Sequence, residues 1–132
     1  TVVRGWAGGE SFTVSGEGYQ PDGQFYRGDQ PLAPGNDAST SLLLRGALLC
    51  NDSQLELSGE AEGKRTWRMV GDPTEGALVV AAAKADLHRP TVESHYPRVA
   101  EVPFDSDRKL MSTVHRMPAA TAITFFDICP PL

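Results

Sequence analysis

Val102-Pro103-Phe104-Asp105-Ser106-Asp107-Arg108-Lys109-Leu110-Met111-Ser112-Thr113-Val114 reads as two extended runs joined by a polar turn. Arg98 to Phe104 carries Val99, Val102 and Phe104, and Leu110 to Val114 is apolar or β-branched at most positions. Between them, Asp105-Ser106-Asp107-Arg108 supplies short side chains that hydrogen-bond their own backbone, which is turn chemistry. The expectation is a hairpin that sets Phe104, Lys109 and Met111 close together on neighbouring strands. On spacing alone the same pattern also describes a surface hairpin with an aromatic in the core.

Upstream, Thr1 to Trp6 and Ser11 to Ser15 are β-branched and aromatic runs on either side of Gly8-Gly9, a second hairpin. Gly16 to Gly23 is a loop by its glycines and proline, and it has neither spacing of a phosphate-cradling glycine loop. Gln24 to Gly35 is polar and punctuated by Pro31 and Pro34, so it reads as irregular. Asn36 or Asp37 caps a helix from Ala38 to Cys50, whose many leucines make it mostly buried, with Asn51-Asp52 as its stop. Leu55 and Leu57 start a short strand, Ser58 to Lys64 is an exposed, mobile turn, and Thr66 to Val70 is a better strand.

Gly71 to Gly76 opens the clearest helix. Asp72 is a good N-cap, Pro73 suits the first helical position and Glu75 falls at the third. Ala77 to Leu87 continues the helix until Pro90 blocks it, Thr91 to Tyr96 is a short helical segment, and Thr121 to Phe126 is a final strand. Strands and helices mix without regular alternation, and short turns between neighbouring strands imply antiparallel pairing. The expected class is α+β, an antiparallel β-sheet flanked by helices, forming a single domain over residues 1–132.

With 12 basic and 17 acidic residues the formal charge is −5, which argues against a nucleic-acid surface. No apolar run approaches the roughly 20 residues of a membrane span, so membrane contact by this stretch is not expected. Cys50 and Cys129 lie far apart and form no disulfide framework; both read as small buried hydrophobes in a reducing setting. His88, His95 and His115 have no ligand-like spacing, so no metal site is expected. Asp105-x-Asp107 lacks the remaining positions of a calcium loop and reads as turn-forming aspartates. The abrupt ends suggest a piece of a longer chain.

Four stretches, taken together, carry a resemblance. Phe12 to Gly23 (FTVSGEGYQPDG), Ala47 to Ser53 (ALLCNDS), Val70 to Leu78 (VGDPTEGAL) and Phe104 to Ser112 (FDSDRKLMS) occur in this order. They resemble, respectively, the segment after the phosphorylation motif, the A-L-C-N-D helix end, the G-D-P-T-E-G/T-A-L box and the hairpin signature of the nucleotide-binding (N) domain of P-type cation-transporting ATPases. The likeness is strongest to the calcium-pump (type II) branch.

The resemblance implies a cytosolic domain that holds the adenine and ribose of ATP, with Mg2+, for an integral membrane pump. The pump's phosphorylation domain supplies the acceptor aspartate, and its actuator domain is a further partner. By position, Phe104 matches the aromatic that stacks on adenine, Glu75 the acid near the adenine amino group, and Lys109 and Met111 the lysine and methionine lining the same pocket. Thr74 and Arg108 lie inside the matched boxes as secondary candidates. Some relatives carry an arginine where this chain has Ser106. The Lys-Gly-Ala motif, which adds a second lysine to the pocket, and the Asp-Lys-Thr-Gly-Thr phosphorylation motif are absent. The isolated chain is therefore expected to bind ATP without hydrolysing it. A non-catalytic α+β interaction module is the competing reading.

Overall fold

Phe12, Val14 and Phe25 project from short strands onto one face of two helices, and the core grows from that contact. The computed structural model describes the backbone of residues 1–58, 66–118 and 123–128, and side chains over 1–57 and 66–118. The elements are β1 (Arg4–Ala7), β2 (Glu10–Val14), β3 (Phe25–Arg27), β4 (Gln30–Leu32), α1 (Ala38–Leu49), β5 (Gln54–Ser58), β6 (Thr66–Val70), α2 (Pro73–Lys84), α3 (Arg89–His95), β7 (Arg98–Asp105), β8 (Leu110–Arg116) and β9 (Ile123–Ile128). A 3-10 turn at Pro34–Asn36 leads into α1. The class is α+β, as expected, with the antiparallel strands divided among three sheets: β1-β2-β3-β4, β5-β6 and β7-β8-β9.

One core cluster joins Phe12, Val14 and Phe25 to Leu44 and Ala81; the second joins Leu48, Leu49, Val79, Ala82 and Val92. The Phe12 and Phe25 rings meet at 5.8 Å, a tilted pair. Small residues on α2 (Ala81, Ala82, Ala83) let α1 approach closely, and both clusters take residues from these two helices.

Three expectations are corrected here. The segment 24–35, expected to be irregular, contains the β3–β4 hairpin. Its strands are three residues each, too short to show a period, and Pro31 is tolerated because β4 is an edge of its sheet. α1 is only half buried: Thr40, Leu44 and Leu48 recur every fourth residue on the inner stripe, while Leu42 and Leu43 face outward at 55% and 41% exposure. α2 ends at Lys84 rather than running to Leu87. Its stop is a left-handed Asp86 (φ 61°), with the Leu87 N–H bound to Ala82 O and the Asp86 N–H to Ala83 O. That pattern closes a helix without help from proline, and Pro90 instead sits in the first turn of α3.

Asp37 is the cap of α1, accepting from the Thr40 N–H and hydroxyl. The final strand is seen at Ile123–Ile128, paired with β8. The expected turn at 58–64 lies outside the described residues apart from the backbone of residue 58, as do the first two residues of the expected last strand and Cys129.

Candidate functional site

Asp72 opens α2 as a cap, its Oδ1 accepting from the N–H groups of Thr74 (2.8 Å) and Glu75 (3.1 Å). Pro73 occupies the first turn, where its missing N–H costs nothing. The chain reaches this cap through Gly71 at φ +117°, where any Cβ would stand 2.5 Å from Ser53 Oγ. A side chain there is excluded twice, by conformation and by space. Gly76 has a parallel role one turn on, since a Cβ would meet the sulfur of Met69 on β6 at 2.5 Å. The first turn of α2 is thus pressed between the α1–β5 connection and β6.

The Glu75 carboxylate is half-buried in this corner. Ser53 Oγ lies 3.5 Å from Oε2 and 3.0 Å from the Asp72 carbonyl. Burial raises the Glu75 pKa above its ordinary 4.5, and the nearby charges of Asp52 and Asp72 add to the rise, while the Asp52 main-chain N–H and the Ser53 hydroxyl oppose it. Thr74 is exposed beside it.

The hairpin carries the remaining expected site residues. β7 and β8 pair at Val102↔Ser112 and again at Asp105↔Leu110, so Pro103 and Phe104 together oppose the single residue Met111. This is a β-bulge, a device that bends a strand and re-aims its side chains, and proline suits it because it has no N–H to leave unpaired. Phe104 is left 46% exposed. Asp105 builds the turn, accepting from the Asp107 N–H at 2.7 Å and, through its carbonyl, from the Lys109 N–H.

The expectation that Lys109 lies on a strand beside Phe104 and Met111 is corrected. Lys109 is the last residue of the turn, in the left-handed region at φ 57°, because the ladder closes at Asp105↔Leu110. Arg108 folds back over the hairpin, donating to Ser112 Oγ and the Leu110 carbonyl, each at 3.3 Å.

Sequence reasoning missed the helix end that both stretches touch. Asn51, read only as a helix stop, is fully buried and donates to the Glu75 carbonyl at 2.7 Å. Its neighbour Cys50 is also buried, with Sγ 3.7 Å from the Met111 carbonyl. Consecutive residues at the end of α1 therefore touch Glu75 on one side and Met111 on the other. Arg98 fastens the same end, donating to the Leu49 carbonyl (2.8 Å), the Asn51 carbonyl (3.2 Å) and Asp52 Oδ1 (2.9 Å), a cation where a helix C-terminus favours one. The available signal was the Ala47–Ser53 box, which carried a resemblance but no role.

A concavity of about 380 Å³ is lined by residues including Leu55, Trp67, Val79 and Arg89, and one of about 290 Å³, lined by residues including Asn51, Asp52, Glu93 and Arg98, borders the corner on its Asn51 side. Among the described residues no three His, Cys, Asp or Glu side chains gather to hold a metal, and no helix is long and apolar enough to cross a membrane.

Comparison with known proteins gives this geometry a context. A family profile described as P-type ATPase, cytoplasmic domain N, matches residues 39–126. The chain is 42% identical over 120 residues to the cation-transporting ATPase pma1 of Synechocystis sp., covering 87% of this chain and 13% of that protein. It is 37% identical over 114 residues to a calcium-transporting ATPase of Bacillus subtilis, covering 86% of this chain and 12% of that one. A calcium-transporting ATPase of Listeria monocytogenes is 40% identical over 98 residues, covering 74% of this chain and 10% of the relative. The chain spans about an eighth of the length of the first two. On the profile and these identities, this chain belongs to the P-type cation-transporting ATPases, as part of their cytoplasmic domain N.

Proposed function

We propose that residues 1–132 act as a single nucleotide-binding unit, on the cytoplasmic side of a membrane pump, that holds the adenine and ribose of ATP. The observation that carries this reading is the half-exposed Phe104 ring in the bulge opposite Met111, on the hairpin whose Met111 carbonyl adjoins the same helix end as Glu75. An open aromatic face suits a purine, because stacking needs only one bare side of the ring and contributes roughly 1–3 kcal/mol per base. Met111 supplies an adaptable apolar neighbour. The Glu75 carboxylate accepts from the exocyclic amine of adenine, and Lys109, exposed in the turn, offers a mobile positive charge to the phosphates. Thr74 and Arg108 are secondary contacts.

With the base held here, the γ-phosphoryl group is presented to an aspartate of a separate phosphorylation domain, with Mg2+ accompanying the phosphates. Turnover then drives a cation across the membrane, with an actuator domain as the further partner. The names of the Bacillus and Listeria relatives favour calcium as that cation. This chain alone binds ATP weakly, near the millimolar range or about −4 kcal/mol, and releases no phosphate.

Titration of the chain with ATP, followed by backbone NMR shifts, tests the reading. Perturbations centred on Phe104, Met111 and Glu75 are expected. An unperturbed hairpin at saturating ATP would leave the non-catalytic interaction module as the better description, and steady phosphate release would contradict the division of labour.

A further inference from the structure

Asn51 is enclosed completely, and its amide makes three hydrogen bonds. Nδ2 donates to the Ala47 carbonyl at 3.2 Å and the Glu75 carbonyl at 2.7 Å, while Oδ1 accepts from the Ser53 N–H at 2.8 Å. Ser53 is equally enclosed, and its single hydroxyl proton is shared between the Asp72 carbonyl at 3.0 Å and Glu75 Oε2 at 3.5 Å. The absence of a side chain at Gly71 is what allows this approach. Asn51 thus ties down the main chain of Glu75, and Ser53 turns a hydroxyl towards its carboxylate.

Helix-to-helix adhesion alone would explain a buried amide, but it would not explain where the Glu75 carboxylate stands. That group lies half-buried beside Asp52 and Asp72, whose charges oppose it. An unrestrained glutamate side chain in the first turn of a helix would relax outward into water and away from its acidic neighbours. Its position depends on the helix turn that carries it and on the donors turned towards it. Asn51 sets the first and Ser53 contributes to the second.

We propose that Asn51 and Ser53 are positioning residues for base selection, fixing the Glu75 carboxylate where an exocyclic amine donates to it. The inference rests on the ATP-binding reading above, and it adds a specificity device that acts through Glu75 without touching the nucleotide.

The test compares wild type, Ser53→Ala, Asn51→Ala and Glu75→Gln, each titrated with ATP and with purine riboside triphosphate, which lacks the amine. Wild type is expected to prefer ATP by roughly tenfold, the scale of one hydrogen bond to a charged group. Both positioning variants are expected to bring that ratio to within about twofold of unity, with affinity for the amine-free nucleotide changed by no more than about twofold. Where Asn51→Ala fails to fold, Ser53→Ala, which removes one oxygen atom, carries the test. A second reading is the pH at which the ATP preference fades on acidification. The Ser53 hydroxyl favours the ionised carboxylate, so its removal should move that point upward.

A Ser53→Ala variant with full ATP preference and an unmoved pH profile would overturn the inference alone. Equal weakening towards both nucleotides would overturn it too, by showing a purely structural role. A wild type that binds neither nucleotide would remove the functional reading itself, and the inference with it.

Discussion

Phe104 and Met111 oppose one another across a β-bulge in which Pro103 and Phe104 share that single partner position. β7 is an edge strand exposed over Val99–Asp105, and the bulge locally bends it at Pro103 and Phe104. The Phe104 ring, in the bulge, stands half in water.

The first prediction follows from that exposure. Phe104→Ala should cost ATP affinity roughly 1–3 kcal/mol, the scale of base stacking on an aromatic ring. Stability should change little, because a ring 46% exposed gives up much less burial than a core phenylalanine. Thermal melts paired with ATP titrations on the same variant check both halves. Unchanged affinity would show that the base is held elsewhere.

Glu75 gives a prediction in which binding and stability move oppositely. Burial, with the charges of Asp52 and Asp72 adding to it, raises its pKa in the folded state. A raised carboxyl contributes stability that is fully present below the unfolded value, near 4.5, and is lost as pH rises through the folded value. At neutral pH the ionised group therefore stabilises the fold less than its protonated form would. Glu75→Gln should match or exceed the wild-type melting midpoint at neutral pH, flatten this part of the acid dependence and weaken ATP binding. A variant with a lower neutral midpoint and full affinity would make Glu75 a helix-start residue and nothing more.

How far the sequence could be read depended on whether a signal was local. The α2 start was legible because Asp72, Pro73 and Glu75 act within one turn, and their bonds are those of an ordinary cap. The hairpin was legible for the same reason, since Asp105 makes its own turn. The β3–β4 hairpin was missed because strands of three residues show no periodicity. The placement of Lys109 was missed because a one-residue bulge changes which residue closes the ladder, and nothing local announces it. Asn51 escaped because its partner, the Glu75 carbonyl, lies 24 residues away in sequence, and that pairing exists only once the two helices have packed.

His115 is the basis of a pH prediction of opposite sign. It is fully buried on β8, with Nδ1 2.9 Å from the Tyr96 carbonyl and Nε2 2.9 Å from Thr113 Oγ1. A carbonyl only accepts, so Nδ1 carries the proton and Nε2 in the neutral ring accepts from the Thr113 hydroxyl. Burial lowers its pKa below 6.5; the positive charge of Arg98 works the same way, against the Tyr96 carbonyl and the charge of Glu93. A depressed imidazole contributes stability fully present above the unfolded value and lost as pH falls through the folded one. In a Glu75→Gln background, free of the opposing carboxyl, the melting midpoint should fall as pH drops below 6.5. A His115→Gln substitution in that background should remove this component. NMR of the imidazole should show the ring still neutral somewhat below 6.5, and a ring already charged at that pH would refute the assignment.

Lys109 joins two properties that substitution can separate. Its backbone is left-handed at φ 57°, a conformation costing a non-glycine residue roughly 1–2 kcal/mol, and its exposed side chain is the charge proposed to meet the phosphates. Lys109→Gly should relieve the strain and raise the melting midpoint slightly, with part of the gain offset by the greater freedom of glycine in the unfolded chain. Lys109→Ala keeps the strain and removes the same charge. Both variants should lose affinity for ATP to a similar degree while binding adenosine as wild type does, because adenosine has no phosphate for the lysine to reach. Raising the salt concentration should narrow the difference between wild type and either variant, since an exposed charge is screened within about 10 Å at 0.1 M salt. If adenosine binding falls along with ATP binding, the turn geometry holds the base wall in place and the charge is incidental. If neither falls, Lys109 closes the hairpin and takes no part in recognition.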